Sequence, residues 1–145
     1  MKPELGASFG SKWEGIPPAI PSGDLEIWLR YRPLIAEAFE HVYFNVRVGE
    51  PVPVAEDLPS EIKFMAEAVS RRRIDVVGET KDSWHLIELK YMAGAEALGQ
   101  ILMYSALWEI DPPDDRLVKT VIVSDRANKD LALSCRVYGV ELVVV

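Results

Sequence analysis

The chain has 145 residues, 49% of them hydrophobic and 27% charged, which is the composition of one soluble globular domain and not of a disordered, collagenous or membrane-spanning chain. Sixteen Lys and Arg against twenty-three Asp and Glu leave a net charge of −7, so contact with nucleic acid through bulk electrostatics alone is excluded. Such contact would require carboxylates that hold divalent cations, or a local basic stripe on an acidic body. The single cysteine, Cys135, rules out an internal disulfide and a thiolate-based zinc site, and points to a reducing, cytoplasmic compartment. No apolar run has the length of a signal peptide or a membrane span, so no membrane partner is expected.

Residues 1–23 carry four of the nine glycines and four of the ten prolines without a sustained hydrophobic period, and read as an extended N-terminal arm pinned by Trp13. Residues 24–145 form the single domain. From Asp24 to Val42 apolar residues recur at steps of three and four, as in an amphipathic helix; Ser22 or Asp24 is its N-cap, Glu26 lies in its first turn and Pro33 bends it. Val42–Val48 is β-branched and aromatic and reads as a strand ending at Gly49. After a loop, residues 60–69 form a short helix capped by Ser60. Residues 73–78 and 84–90 flank a polar turn and make a hairpin. Met92 to Ile110 is a long helix that stops before Pro112, followed by a core strand at 118–123, a helix at 128–138 and a last strand at 140–145 entered through Gly139. The order α-β-(α)-β-β-α-β-α-β implies an α/β fold with a mixed sheet of about five strands and helices on both faces.

The hairpin carries the chemistry. Asp75 lies near the start of one strand, and Glu88 and Lys90 lie two apart near the end of its partner, where alternation puts both on one face and antiparallel pairing brings them beside Asp75. Two carboxylates and an ammonium in this pattern suit metal-assisted phosphodiester hydrolysis: the acids hold Mg²⁺, and the lysine orients a water or offsets charge in the transition state. Arg72 and Arg73 lead into the Asp75 strand from Arg71 and are the candidate basic stripe for a phosphate backbone. His85 is out of phase with Lys90 and faces away, Cys135 has no activating partner, and the tryptophans at 28, 84 and 108 are packing residues.

Ile74-Asp75-Val76-Val77, then Ile87-Glu88-Leu89-Lys90, then Gln100-x-x-x-Tyr104 on the following helix resembles the PD-(D/E)XK nuclease superfamily. The Gln-x-x-x-Tyr element is similar to its RecB-like, exonuclease V branch; Ile74 stands where the motif has proline. The resemblance spans about residues 24–123. It implies a restriction-endonuclease-like core and a Mg²⁺-dependent deoxyribonuclease, with Mn²⁺ able to substitute. Asp75 and Glu88 are then metal ligands, Lys90 the catalytic lysine, and Gln100 and Tyr104 supporting catalytic residues. The family commonly adds an acid from the first helix. If that helix runs back over the sheet, its sixteen steps from Glu26 to Val42 span roughly 24 Å against roughly 20 Å for a six-residue strand, which selects Glu26 over Glu37 and Glu40 as a further metal ligand. The expected partner is DNA, together with a larger DNA-processing complex or a second copy. The alternative is a non-catalytic nucleic-acid-binding or assembly subunit on the same scaffold.

Overall fold

Within the N-terminal segment a short stretch supplies an edge strand. In the computed structural model, which describes residues 1–145, β1 (Ser8–Phe9) pairs antiparallel with β2 (His41–Val48), Ser8 opposite Tyr43, and Glu4 bridges Arg47 beyond it. Aromatic burial is the cause. The Phe9 and Trp13 rings lie 4.2 Å apart and 5.4 and 5.7 Å from the ring of Phe44, and the Ser11 hydroxyl donates to the Ile35 carbonyl.

The first helix is shorter than the periodicity predicts. α1 (Ser22–Tyr31) gives way to a 3-10 turn over Arg32–Ile35, because Pro33 has no amide proton to continue the α ladder. Ile27, Trp28, Tyr31 and Ile35 still share one buried face. After β2 the chain forms α2 (Ser60–Ser70), a helix with no buried residue, and then the hairpin of β3 (Arg72–Glu79) and β4 (Ser83–Met92). α3 (Ala95–Ile110) starts three residues later than expected, since Met92 is still paired with Arg126 in the sheet. β5 (Leu117–Arg126), α4 (Lys129–Tyr138) and β6 (Val140–Val144) complete the chain. The side chain of Asn128 caps α4 by accepting from the Leu131 amide, and Gly139 ends it at φ 70°, a left-handed position that glycine takes without strain.

The sheet has six strands, not about five, in the order β1-β2-β3-β4-β5-β6. Pairing is antiparallel from β1 to β4 and parallel from β4 to β6, as two crossovers through α3 and α4 require. The sheet separates two apolar clusters. One, under α3 and α4, contains Val46, Ile74, Leu86, Ile101, Tyr104, Trp108 and Ile122; the other, under α1, contains Trp28, Phe44, Val76, Ile87, Leu89 and Val123. No helix is long and apolar enough to cross a membrane.

Strict alternation fails in the row that holds Asp75. Val42 and Phe44 face α1, yet Val46 and Val48 face α3; on β3, Ile74 and Val77 face α3 while Val76 faces α1. Between these pairs stands Asn45, at φ 53°, in the gap of the β2–β3 register between the Phe44–Val76 and Val46–Ile74 pairs where Asp75 also lies. A left-handed residue inside a strand rotates the chain beyond it, so the sheet changes face at this row. Asn45 tolerates the conformation, and its side-chain amide donates to the Pro18 carbonyl.

Candidate active site

The β3–β4 ladder ends at Val76 and Ile87. Past that point the strands splay, and the Asp75 carboxylate enters the gap: its Oδ2 accepts from the Leu89 amide at 2.9 Å, in place of a backbone carbonyl. Glu88 lies beside it. Leu86, Glu88 and Lys90 alternate with Ile87 and Leu89, so Glu88 and Lys90 share the α3 face, as the spacing predicts. Glu88 is only 6% exposed, and its Oε2 is buried without a hydrogen-bond partner.

Burial and proximity determine the electrostatics. Desolvation raises the pKa of both carboxyls, and the charge of Asp75 pushes Glu88 the further of the two. Lys90 opposes the rise at both, and Arg73 opposes it at Asp75. The pair therefore retains a proton in conditions where ordinary carboxylates have lost theirs.

On α3, Tyr104 is buried, and its hydroxyl is pushed up to about 12 by desolvation and then by the charges of Glu88 and Asp75, with Arg72 and Arg73 acting in the opposite sense. Tyr104 is thus within electrostatic reach of the two acids and the two arginines. One turn earlier, the Oε1 of Gln100 is buried without a partner. Of the four buried side-chain polar atoms left unpaired in the chain, one is Glu88 Oε2, one is Gln100 Oε1 a turn from Tyr104 on α3, and two are the indole N–H groups of Trp28 and Trp108 in the core. An oxygen aligned with no donor is costly unless something else supplies the positive partner.

Of the acids on α1, Asp24 and not Glu26 is the one whose charge acts on the pair. Glu26 Oε1 is bound to Arg30 at 2.6 Å, whereas the charge of Asp24 is felt by both Asp75 and Glu88. Asp24 does not cap its own helix; its Oδ1 accepts from the Tyr91 amide at 3.2 Å and ties α1 to the end of β4. The early stop at Pro33 shortens the helix on which the choice of Glu26 rests, and the i,i+4 spacing to Arg30 gives Glu26 a nearer partner. A polar residue just inside the helix start is the one sequence signal for Asp24, and it suggests only a cap. Glu37 is paired with Lys12 at 2.7 Å. The chain contains no group of three or more His, Cys, Asp or Glu side chains placed to hold a metal ion, so the three-carboxylate set is not assembled.

The basic stripe is shorter than the three consecutive arginines suggest. Arg71 is buried, donating to the Gly49 and Lys2 carbonyls at 2.6 and 2.9 Å, and serves the fold. Arg72 and Arg73 are exposed at the start of β3. His85 lies on the far side, with its ring 5.0 Å from Phe39 and its Nε2 2.9 Å from Ser83 Oγ. Cys135 is buried. No known protein family matches the chain, and no relative is found among the curated proteins or the solved structures.

Proposed function

We propose that this protein is a Mg²⁺-dependent deoxyribonuclease on a restriction-endonuclease-like core. The observation that carries the reading is the pairing of half-buried Asp75 with buried Glu88 at the splayed end of the hairpin, with one glutamate oxygen unpartnered and Lys90 two residues on. Two carboxylates suffice for Mg²⁺, which keeps several waters and takes further oxygens from a phosphate, so the donor set fits a hard divalent cation without a third acid. When bound, that cation polarises the scissile phosphate and acidifies a water.

The protein's own groups do the rest. Leu89 N–H fixes the Asp75 carboxylate, and the walls of β3, β4 and α3 keep bulk water from Glu88. Lys90 donates to a phosphate oxygen as charge develops there, an interaction that is strongest in the transition state. Gln100 and Tyr104 offer an amide and a hydroxyl along the same wall, and Arg72 and Arg73 hold a neighbouring phosphate.

The test is cleavage of linear, nicked, branched and single-stranded DNA with Mg²⁺ or Mn²⁺. Activity should fall by orders of magnitude in Lys90→Ala while DNA affinity stays within about a few-fold, because the ammonium acts mostly on the transition state. A second reading, a non-catalytic subunit of a larger DNA-processing complex, is favoured by α2, which buries no residue and leaves Phe64 75% and Met65 66% exposed. Absence of cleavage on every substrate with both metals would give that reading the lead.

A further inference from the structure

The polarity of α2 is inverted with respect to the body. Lys63, Glu67 and Ser70 are the half-buried side: Lys63 and Glu67 face the loop of Pro51–Val54 and Glu56, and Ser70 Oγ accepts from the Val52 amide at 2.7 Å. Ile62, Phe64, Met65 and Val69 turn to solvent instead, with 53, 75, 66 and 63% of each exposed. Steps of three and four align Ile62, Met65 and Val69 in one stripe, and Phe64 broadens it. Polar ties hold the helix in place: Arg47 donates to the Ala68 carbonyl at 2.6 Å, and Arg71, just past its end, donates to the Gly49 and Lys2 carbonyls. A helix of 11 residues is marginal in water by itself and depends on burying a face. The four apolar side chains leave roughly 500 Å² uncovered, so a contact that covers them on two copies would bury about 1,000 Å², the lower end of specific interfaces.

We propose that α2 is a homodimer face, on which a second copy of the chain lays its own α2 antiparallel across a two-fold axis beside Met65. In that register Ile62 of one copy meets Val69 of the other, and the two Met65 side chains flank the axis, where an unbranched thioether adapts to an irregular seam. Charge identifies the occupant. Glu56, Asp57 and Glu61 are exposed at the N-terminal end of α2, and Arg72 and Arg73 are exposed just past its C-terminal end. None of the five takes part in an ion pair within the chain. One short segment therefore carries both signs, one at each end. Antiparallel pairing sets the acidic end of each copy beside the basic end of the other, twice over, whereas parallel pairing would set like against like. The dimer is independent of the nuclease reading.

Sedimentation equilibrium of the full chain, in chelator and without DNA, tests the dimer. Between about 1 and about 200 μM the wild type should pass from one chain's mass to twice that mass, with a dissociation constant in the micromolar range that rises with salt. Met65→Glu should raise the constant at least about tenfold, while Leu133→Glu, at an exposed apolar residue of α4, should change it by less than about twofold. Glu61→Arg should raise it about tenfold, and Glu61→Arg combined with Arg72→Glu should bring it back to within about threefold of wild type. The two charge reversals leave the apolar stripe intact, so they test the arrangement even where Met65→Glu unwinds α2. A wild type that stays monomeric at about 200 μM would overturn the proposal and leave the face to a different protein. A dimer that survives both Met65→Glu and Glu61→Arg would overturn it by placing the interface elsewhere. Loss of the dimer in Glu61→Arg without recovery in the double reversal would overturn the antiparallel arrangement.

Discussion

Glu88→Gln should stabilise the metal-free protein while removing its response to divalent cations. The substitution keeps the shape of the side chain and removes a carboxyl that is buried, unpaired at Oε2 and unable to ionise cheaply beside Asp75. The magnitude follows from linkage. Glu88 is raised from 4.5 to about 9, by desolvation first and by the charge of Asp75 second. Each pH unit corresponds to about 1.36 kcal/mol, so at about pH 8 the folded protein must keep a proton that the unfolded chain releases, at a cost of a few kcal/mol that glutamine avoids. The expected gain for Glu88→Gln at about pH 8 is therefore about 1–3 kcal/mol, or roughly 3–10 °C in Tm for a domain of this size. The pH dependence has a definite sign. Both carboxyls bind protons more tightly folded than unfolded, so their contribution to stability is greatest below the ordinary carboxylate range and is lost as the pH rises through about 6 and on towards the value of Glu88. The wild type should thus lose stability relative to Glu88→Gln between about pH 5 and about pH 8 in chelator, and millimolar Mn²⁺ should restore it in the wild type alone. Urea and thermal denaturation at the two pH values measure both effects. A Glu88→Gln protein less stable than wild type in chelator at the higher pH would refute the reasoning.

Arg72→Ala and Arg73→Ala should each weaken DNA binding and reduce its salt slope by about one for each phosphate that the missing guanidinium had neutralised, as read from affinity against salt concentration; unchanged slopes would remove both from the interface. Asp24→Asn keeps an acceptor for the Tyr91 amide but removes a charge felt by both site acids, so it should weaken Mn²⁺ binding several-fold in a calorimetric titration. Glu26→Gln should leave that affinity unaltered, because Glu26 bonds to Arg30; the reverse ranking would restore Glu26 as the first-helix acid. At Gly78 an added Cβ would stand 2.5 Å from the Phe39 ring, so Gly78→Ala should cost about 1–3 kcal/mol by overpacking, and a smaller loss in urea denaturation would mean that the ring moves aside freely.

The sequence alone determined what is local. Alternation placed Glu88 and Lys90 on one face because their strand is regular from Leu86 onward, and i,i+4 spacing placed Gln100 and Tyr104 on one face of α3. The order of helices and strands from residue 22 onward also followed from periodicity and turn residues, because hydrophobic period and Pro or Gly breaks act over a few residues. Tertiary structure decided the rest. Whether Asp75 meets Glu88 depends on the splay past Val76 and on the left-handed turn of Asn45 one strand away, and neither is written in the spacing of the hairpin. The choice of Asp24 over Glu26 depends on where a helix cut short at Pro33 comes to rest on β4, where Tyr91 offers an amide to the one acid while Arg30 takes the other. The N-terminal segment became the sixth strand because Phe9 and Trp13 find Phe44, a contact between residues more than thirty positions apart that no local period can signal. Burial made Arg71 a structural residue and left Arg72 and Arg73 in solvent, since identical neighbours in sequence acquire different roles once a fold provides carbonyls to only one of them.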